Sequence, residues 1–123
     1  MIHGVVTASR EAVIRIPVHG PDGQEQEIEA ILDTGFNGFL TLPPAIVTAL
    51  GLPLIGRGRA VLANGSEDVF NVYEVTVLWD GQPRVVETDA ADTDPLVGMS
   101  MLCGYQLLVQ AVDGGAVTIE ALP

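Results

Sequence analysis

The sequence predicts an all-β domain, barrel-like or Greek-key-like, carrying two short helices. Three observations predict it. Apolar and polar residues alternate in several runs, as in "EAVIRIPVH" (11–19) and "EQEIEAILD" (25–33). Fourteen glycines and eight prolines are spread along the chain, as expected of many short elements joined by tight turns. Asn-Gly and Asp-Gly pairs recur between extended stretches, where hairpins turn. A length of 123 residues fits one domain, 1–123, with one hydrophobic core.

The elements follow in order. In residues 11–19, Ile14, Ile16 and Val18 share one face of a strand. "GPDGQ" is a turn, and the next strand sets Ile28, Ala30 and Leu32 against Glu27 and Glu29 on the opposite face. That strand ends at Asp33. "FLTLP" (39–43) reads as a short strand. "PPAIVTALG" reads as a helix of about two turns, with proline in its first turn and Gly51 placed to stop it. "RAVLA" and "DVFNVYEVTVLW" are strands on either side of Asn64-Gly65. A further strand, "RVVET", follows the turn "WDGQ". Beyond the polar stretch "DAADTDP" come Leu96-Val97-Gly98 and a short helix within "MSMLCGYQ". "LLVQAV" and "AVTIEAL", joined by "DGG", form a last hairpin. The count is about eight strands, with the first ten residues left unassigned.

Charge and composition exclude several classes of function. Five basic against sixteen acidic residues give a net charge of −11, which repels phosphate backbones and anionic lipid. Neither nucleic acid nor membrane is expected as a partner. No uncharged apolar run is long enough to span a bilayer. The lone Cys103 permits no intrachain disulfide and, in its apolar stretch, is expected to be buried. A reducing, cytoplasmic location is the default expectation.

Little catalytic machinery is on offer. One cysteine and two distant histidines, His3 and His19, do not make a zinc site, and no metal or other cofactor is expected. There is no Gly-x-Ser-x-Gly elbow. Gly56, Gly58, Gly114 and Gly115 do not form a phosphate-binding loop ahead of a helix. What remains is Asp33-Thr34-Gly35, an ionisable group carried out of an apolar strand into a turn. Gly35 can take a dihedral closed to other residues or admit a close backbone, and the Thr34 hydroxyl can lock the turn. By itself the triplet is also ordinary turn chemistry.

Its context is more specific. "AILDTGFNGFLTLP" followed by "PLVGMSMLCGYQLLV" resembles the retropepsin-like, single-lobe aspartic proteases, especially their small bacterial and archaeal members. The resemblance runs from about residue 11 to residue 121. It implies a closed β-barrel with a flap hairpin and one or two short helices, and a catalytic loop at Asp33, Thr34 and Gly35. It further implies that Leu96, Val97 and Gly98 pack beneath that loop. "RAVLANGSEDVFNVYEV" then corresponds to the flap, with Asn64 and Gly65 near its tip. Substrate-binding residues are expected among Phe36, Asn37, Gly38, Asn64, Gly65, Leu96 and Val97. Two departures stand out: Asn37 and Met99 occupy the positions of an ion pair in retroviral members, and Ser100 stands where Asp or Asn is common.

The triplet occurs once, whereas aspartic protease chemistry needs two carboxylates facing one water. A pair held about 3 Å apart cannot both ionise and shares a proton. The second carboxylate is therefore expected from the symmetry mate in a homodimer, with dimers tighter at mildly acidic pH. The expected activity is that of an aspartic endopeptidase acting on peptides or proteins. The alternative is a catalytically silent peptide- or protein-binding module on the same fold.

Overall fold

The computed structural model describes residues 1–123. Ten strands and two helices follow one another: β1 (Ile2–Val6), β2 (Ala12–His19), β3 (Glu25–Leu32), β4 (Leu40–Leu42), α1 (Pro44–Leu50), β5 (Leu54–Val61), β6 (Glu67–Trp79), β7 (Gln82–Ala90), β8 (Leu96–Val97), α2 (Met99–Leu102), β9 (Tyr105–Val109) and β10 (Ala116–Ala121). Neither helix is long and apolar enough to cross a membrane.

One sheet contains every strand, in the order β5-β6-β7-β4-β8-β3-β2-β1-β10-β9, and β6 also pairs with β2. That additional pairing, Val18 with Val77 and His19 with Thr76, closes β6, β7, β4, β8, β3 and β2 into a six-stranded barrel. Two pieces lie outside it. Strand β5 hangs from β6 as a hairpin, and β1, β10 and β9 continue the sheet beyond β2.

The barrel is filled by the alternating residues of the sequence. Ile14, Ile16 and Val18 of β2, Ile28 and Ala30 of β3, and Val75, Val77 and Trp79 of β6 all point inward and are buried. Leu40, Leu42, Val97 and Met101 join them, with Val117 and Ile119 on the extension. Each larger aliphatic side chain removed from water contributes roughly 1.5–3 kcal/mol. Trp79 packs edge-on to Tyr105 of β9, ring centres 5.8 Å apart, and its Nε1 has no hydrogen-bond partner. Helix α1 begins at Pro44, buries Val47 and Leu50 and closes at a left-handed Gly51, as its sequence suggests.

Three expectations are corrected. There are ten strands rather than eight, because β1 forms between β2 and β10, and the two-residue β8 forms between β3 and β4. Neither has a local pattern long enough to announce it. Strand β5 starts at Leu54, ahead of the expected "RAVLA", because β6 is long enough to pair with the earlier residues. Cys103 is exposed, not buried. Helix α2 turns Met101 and Leu102 into the core and ends there, and Cys103, its C-cap, leaves the helical conformation with ψ of 126° and lies on the outside.

Candidate active site

Asp33 leaves the barrel at the end of β3. Strand β8 runs parallel to β3, pairing Ile31 with Leu96 and Leu32 with Val97, and antiparallel to β4, pairing Leu40 with Val97. It therefore lies between the strand that enters the Asp33 loop and the strand that leaves it. The Asp33 amide donates to the Val97 carbonyl at 2.9 Å, fixing the backbone where the carboxylate emerges.

The rest of the loop is tied to the residues that follow β8. Gly98 N donates to Phe39 O at 3.1 Å, Met99 N to Phe36 O at 2.8 Å and Ser100 N to Gly38 O at 3.1 Å. The Ser100 hydroxyl donates to the Asn37 carbonyl. The side chains of Asn37 and Met99 are both exposed. Such close stacking needs glycine at 98. A Cβ there would stand 2.3 Å from Gly38 O and 2.6 Å from the Phe36 ring.

At the head of the loop, Asp33 Oδ1 accepts a hydrogen bond from the Gly35 amide at 2.9 Å, and Phe36 N donates to Asp33 O at 3.1 Å. Asp33 is half-buried, while Thr34 and Gly35 are exposed. The turn is locked by the carboxylate and not by the Thr34 hydroxyl. Gly35 is not in the left-handed region, and in its own chain a Cβ there would meet only Asp33 Oδ1, at 3.3 Å. Neither reading given for this glycine, a forbidden dihedral or a close backbone, holds within the single chain.

Of the residues expected to bind substrate, Leu96 lies with Asp33 on a cavity of about 630 Å³. Ile31 and Leu32 form its apolar wall, and Arg10, Glu11, Thr93 and Asp94 bring polar groups to it. Phe36, Asn37 and Gly38 belong to the same loop but do not line that cavity. Val97 is wholly buried, so its side chain has no surface to offer a ligand, and its role is the carbonyl that holds Asp33. Asn64 and Gly65 sit at the exposed turn between β5 and β6, away from the Asp33 cavity. There Asn64 Oδ1 accepts from the Ser66 amide at 3.0 Å, and Gly65 is left-handed, with φ of 82°.

Arg10, Glu11, Thr93 and Asp94 were not anticipated. Arg10 holds a left-handed backbone, φ 65°, in a turn closed by Arg10 N to Thr7 O and Thr7 N to Glu11 O, each 2.9 Å. Arginine carries no sequence signal for such a conformation, which is favoured by glycine and asparagine. Thr93 and Asp94 belong to a polar stretch that reads as a plain loop until β8 places it beside the carboxylate.

No family model matches the sequence, and no curated protein does. Solved structures do match. The protease of EIAV, in complex with an inhibitor, superposes with a TM-score of 0.56 at 16% identity, over 77% of this chain and 88% of that one. A retropepsin-like aspartic protease from Rickettsia conorii superposes with a TM-score of 0.55 at 15% identity, over 98% of this chain and 92% of that one. At such identities the likeness concerns the fold. The all-β barrel that presents Asp33 at the end of an apolar strand is the retropepsin-like fold.

Proposed function

We propose that this chain is one half of a homodimeric aspartic endopeptidase, with Asp33 of each subunit supplying one of two catalytic carboxylates. The observation that carries the reading is the anchored, half-buried Asp33 in a retropepsin-like barrel, one to a chain. Its Oδ1 is engaged by the Gly35 amide, which sets the plane of the carboxylate. One carboxylate takes a proton from water as the water attacks the peptide carbonyl, and the other gives a proton to the carbonyl oxygen. The pair acts as a unit, so neither subunit works alone. In this reading Thr34, exposed in the single chain, hydrogen bonds across the two-fold axis. The β5–β6 hairpin, with Asn64 and Gly65 at its tip, closes over the bound peptide as a flap.

Incubation of wild type and Asp33→Asn with a diverse peptide library, from acidic to neutral pH, tests the proposal. General acid–base catalysis is worth about 10²–10⁴ in rate, so the variant should lose at least about a hundredfold. The variant chain should fold normally. Equal cleavage by both proteins would sink the assignment of Asp33. No cleavage by a verified wild-type dimer would favour the silent binding module.

A further inference from the structure

A peptide presented to Asp33 lays the side chains beside its scissile bond in the cavity around that carboxylate, and the cavity is not uniformly apolar. Ile31, Leu32 and Leu96 give it an apolar wall, while Glu11 and Asp94 give it acids. A second cavity, of about 210 Å³, adjoins the first, because Glu11, Ile31 and Asp94 line both. Thr7, Val13 and Glu29 complete the smaller one. Glu29 shares the face of β3 that carries Ile31 and lies two residues back from it, about 7 Å along the strand. The two cavities thus form one recess. It starts at Asp33, passes over Ile31 and ends among carboxylates.

The chain supplies little positive charge to balance them. Arg15 reaches Glu29 at 3.6 Å and Glu27 at 3.7 Å, but neither Glu11 nor Asp94 takes part in any ion pair. Arg10 lines the larger cavity, beside Asp33, and not the smaller one. Both unpaired acids sit on backbone that is held in place. Glu11 N donates to Thr7 Oγ1 at 3.3 Å, and Thr7 N donates back to Glu11 O at 2.9 Å. Ile31 N donates to Pro95 O at 2.9 Å, which keeps the neighbouring Asp94 beside β3.

A side chain matched to this recess has an apolar stem and a cationic end. Lysine and arginine bury their methylene stems along apolar surface and keep the charged head in water. Glu11 and Asp94 are exposed, so such a head would meet them without losing its hydration. A plain aliphatic side chain would cover Ile31 and leave the acids unanswered. An acidic one would be repelled.

We infer that Glu11 and Asp94 determine specificity at this site, selecting substrates with lysine or arginine next to the scissile bond. The inference rests on the protease reading of Asp33 and names the class of substrate. In a two-fold dimer each subunit carries one recess, so the preference holds on either side of the bond.

One peptide library tests this twice. Wild type cleaves it and the products are sequenced; immobilised Asp33→Asn binds it and the retained peptides are sequenced. Lysine and arginine should be enriched beside the cleaved bonds and among the retained peptides. Combining Glu11→Gln with Asp94→Asn, in either background, should remove that enrichment. An exposed ion pair is worth up to about fivefold, so the kcat/KM ratio between matched lysine and norleucine peptides should fall about fivefold when both acids are neutralised. These changes remove only two charges from a net −11, so a general attraction for cationic peptides would survive them. Enrichment that persists in the double variant therefore overturns the inference. Cleavage with no basic preference, or with an acidic one, overturns it and leaves the catalytic proposal standing. Basic peptides retained through Glu11 and Asp94 by a dimer that cleaves nothing would support the recess and remove the catalytic proposal. Neither cleavage nor retention would overturn both.

Discussion

The Asp33 loop and the turn at Asn64 use the same local device. In each, a side-chain oxygen accepts the amide two residues on: Asp33 Oδ1 from Gly35 at 2.9 Å, Asn64 Oδ1 from Ser66 at 3.0 Å. Each lies at the end of a strand and carries a glycine. What differs is the support. Behind Asp33 run β8 and the start of α2, whose amides take up the loop's carbonyls. Behind Asn64 there is only the other arm of its own hairpin, and residues 59–69 are exposed. Identical turn chemistry thus gives a fixed carboxylate in one place and a freely projecting tip in the other. Tertiary context, not the turn, distinguishes them.

The comparison breaks most sharply at Gly98. An alanine there drives a methyl group into Gly38 O and the Phe36 ring. Gly98→Ala should destabilise the whole fold by about 3 kcal/mol, the upper part of the range for overpacking, and chemical denaturation would measure it. A loss below about 0.5 kcal/mol would mean that the loop is not clamped from beneath, since surface changes fall in that range. At the other turn, Gly65 is left-handed, but a Cβ there would touch nothing within 4 Å. Gly65→Ala should cost only the backbone strain, about 1 kcal/mol. That cost should appear as faster amide exchange near the tip rather than as a lower global midpoint.

The smallest effect is expected at the joint between the two regions. Asp89 lies on β7, paired with Val72 at the base of the hairpin and with Thr41 of β4. Burial, with the charge of Glu87 nearby, raises its carboxyl above the ordinary value of 3.8. The folded chain holds that proton more tightly than the unfolded one. The associated stability is full below pH 3.8 and is lost as pH rises through the raised value. Asp89→Asn, which stays neutral, should therefore melt above wild type at neutral pH. Below pH 3.8 the gain should vanish, and thermal melts at the two conditions would show it.

How much of this was legible in the sequence varied with the range of the interactions. Local patterns were informative: the alternation of Ile14, Ile16 and Val18 matches the buried face of β2, and Asn64-Gly65 marks a real hairpin turn. Elements created by pairing on both sides were not legible. β8 is two residues long and owes its form to β3 and β4, so no periodicity could reveal it. The resemblance pointed to Leu96-Val97-Gly98 but not to the division of labour among them. Leu96 reaches the cavity, Val97 gives a carbonyl, and Gly98 gives room. Arg10 and Asp94 meet Asp33 only because separate loops converge, and Cys103 is exposed because a helix ended one residue earlier.

The position of β1 also has a consequence for the order in which the molecule is built. Its hydrogen bonds run to β10, with Ile2 opposite Ile119, so the first of these ten strands is completed by the tenth. Pairings so distant in sequence delay folding, because the intervening chain must be ordered before they contribute. While the chain is being made, β1 has β2 on one side and an unpaired edge on the other. That edge stays open until the final hairpin arrives.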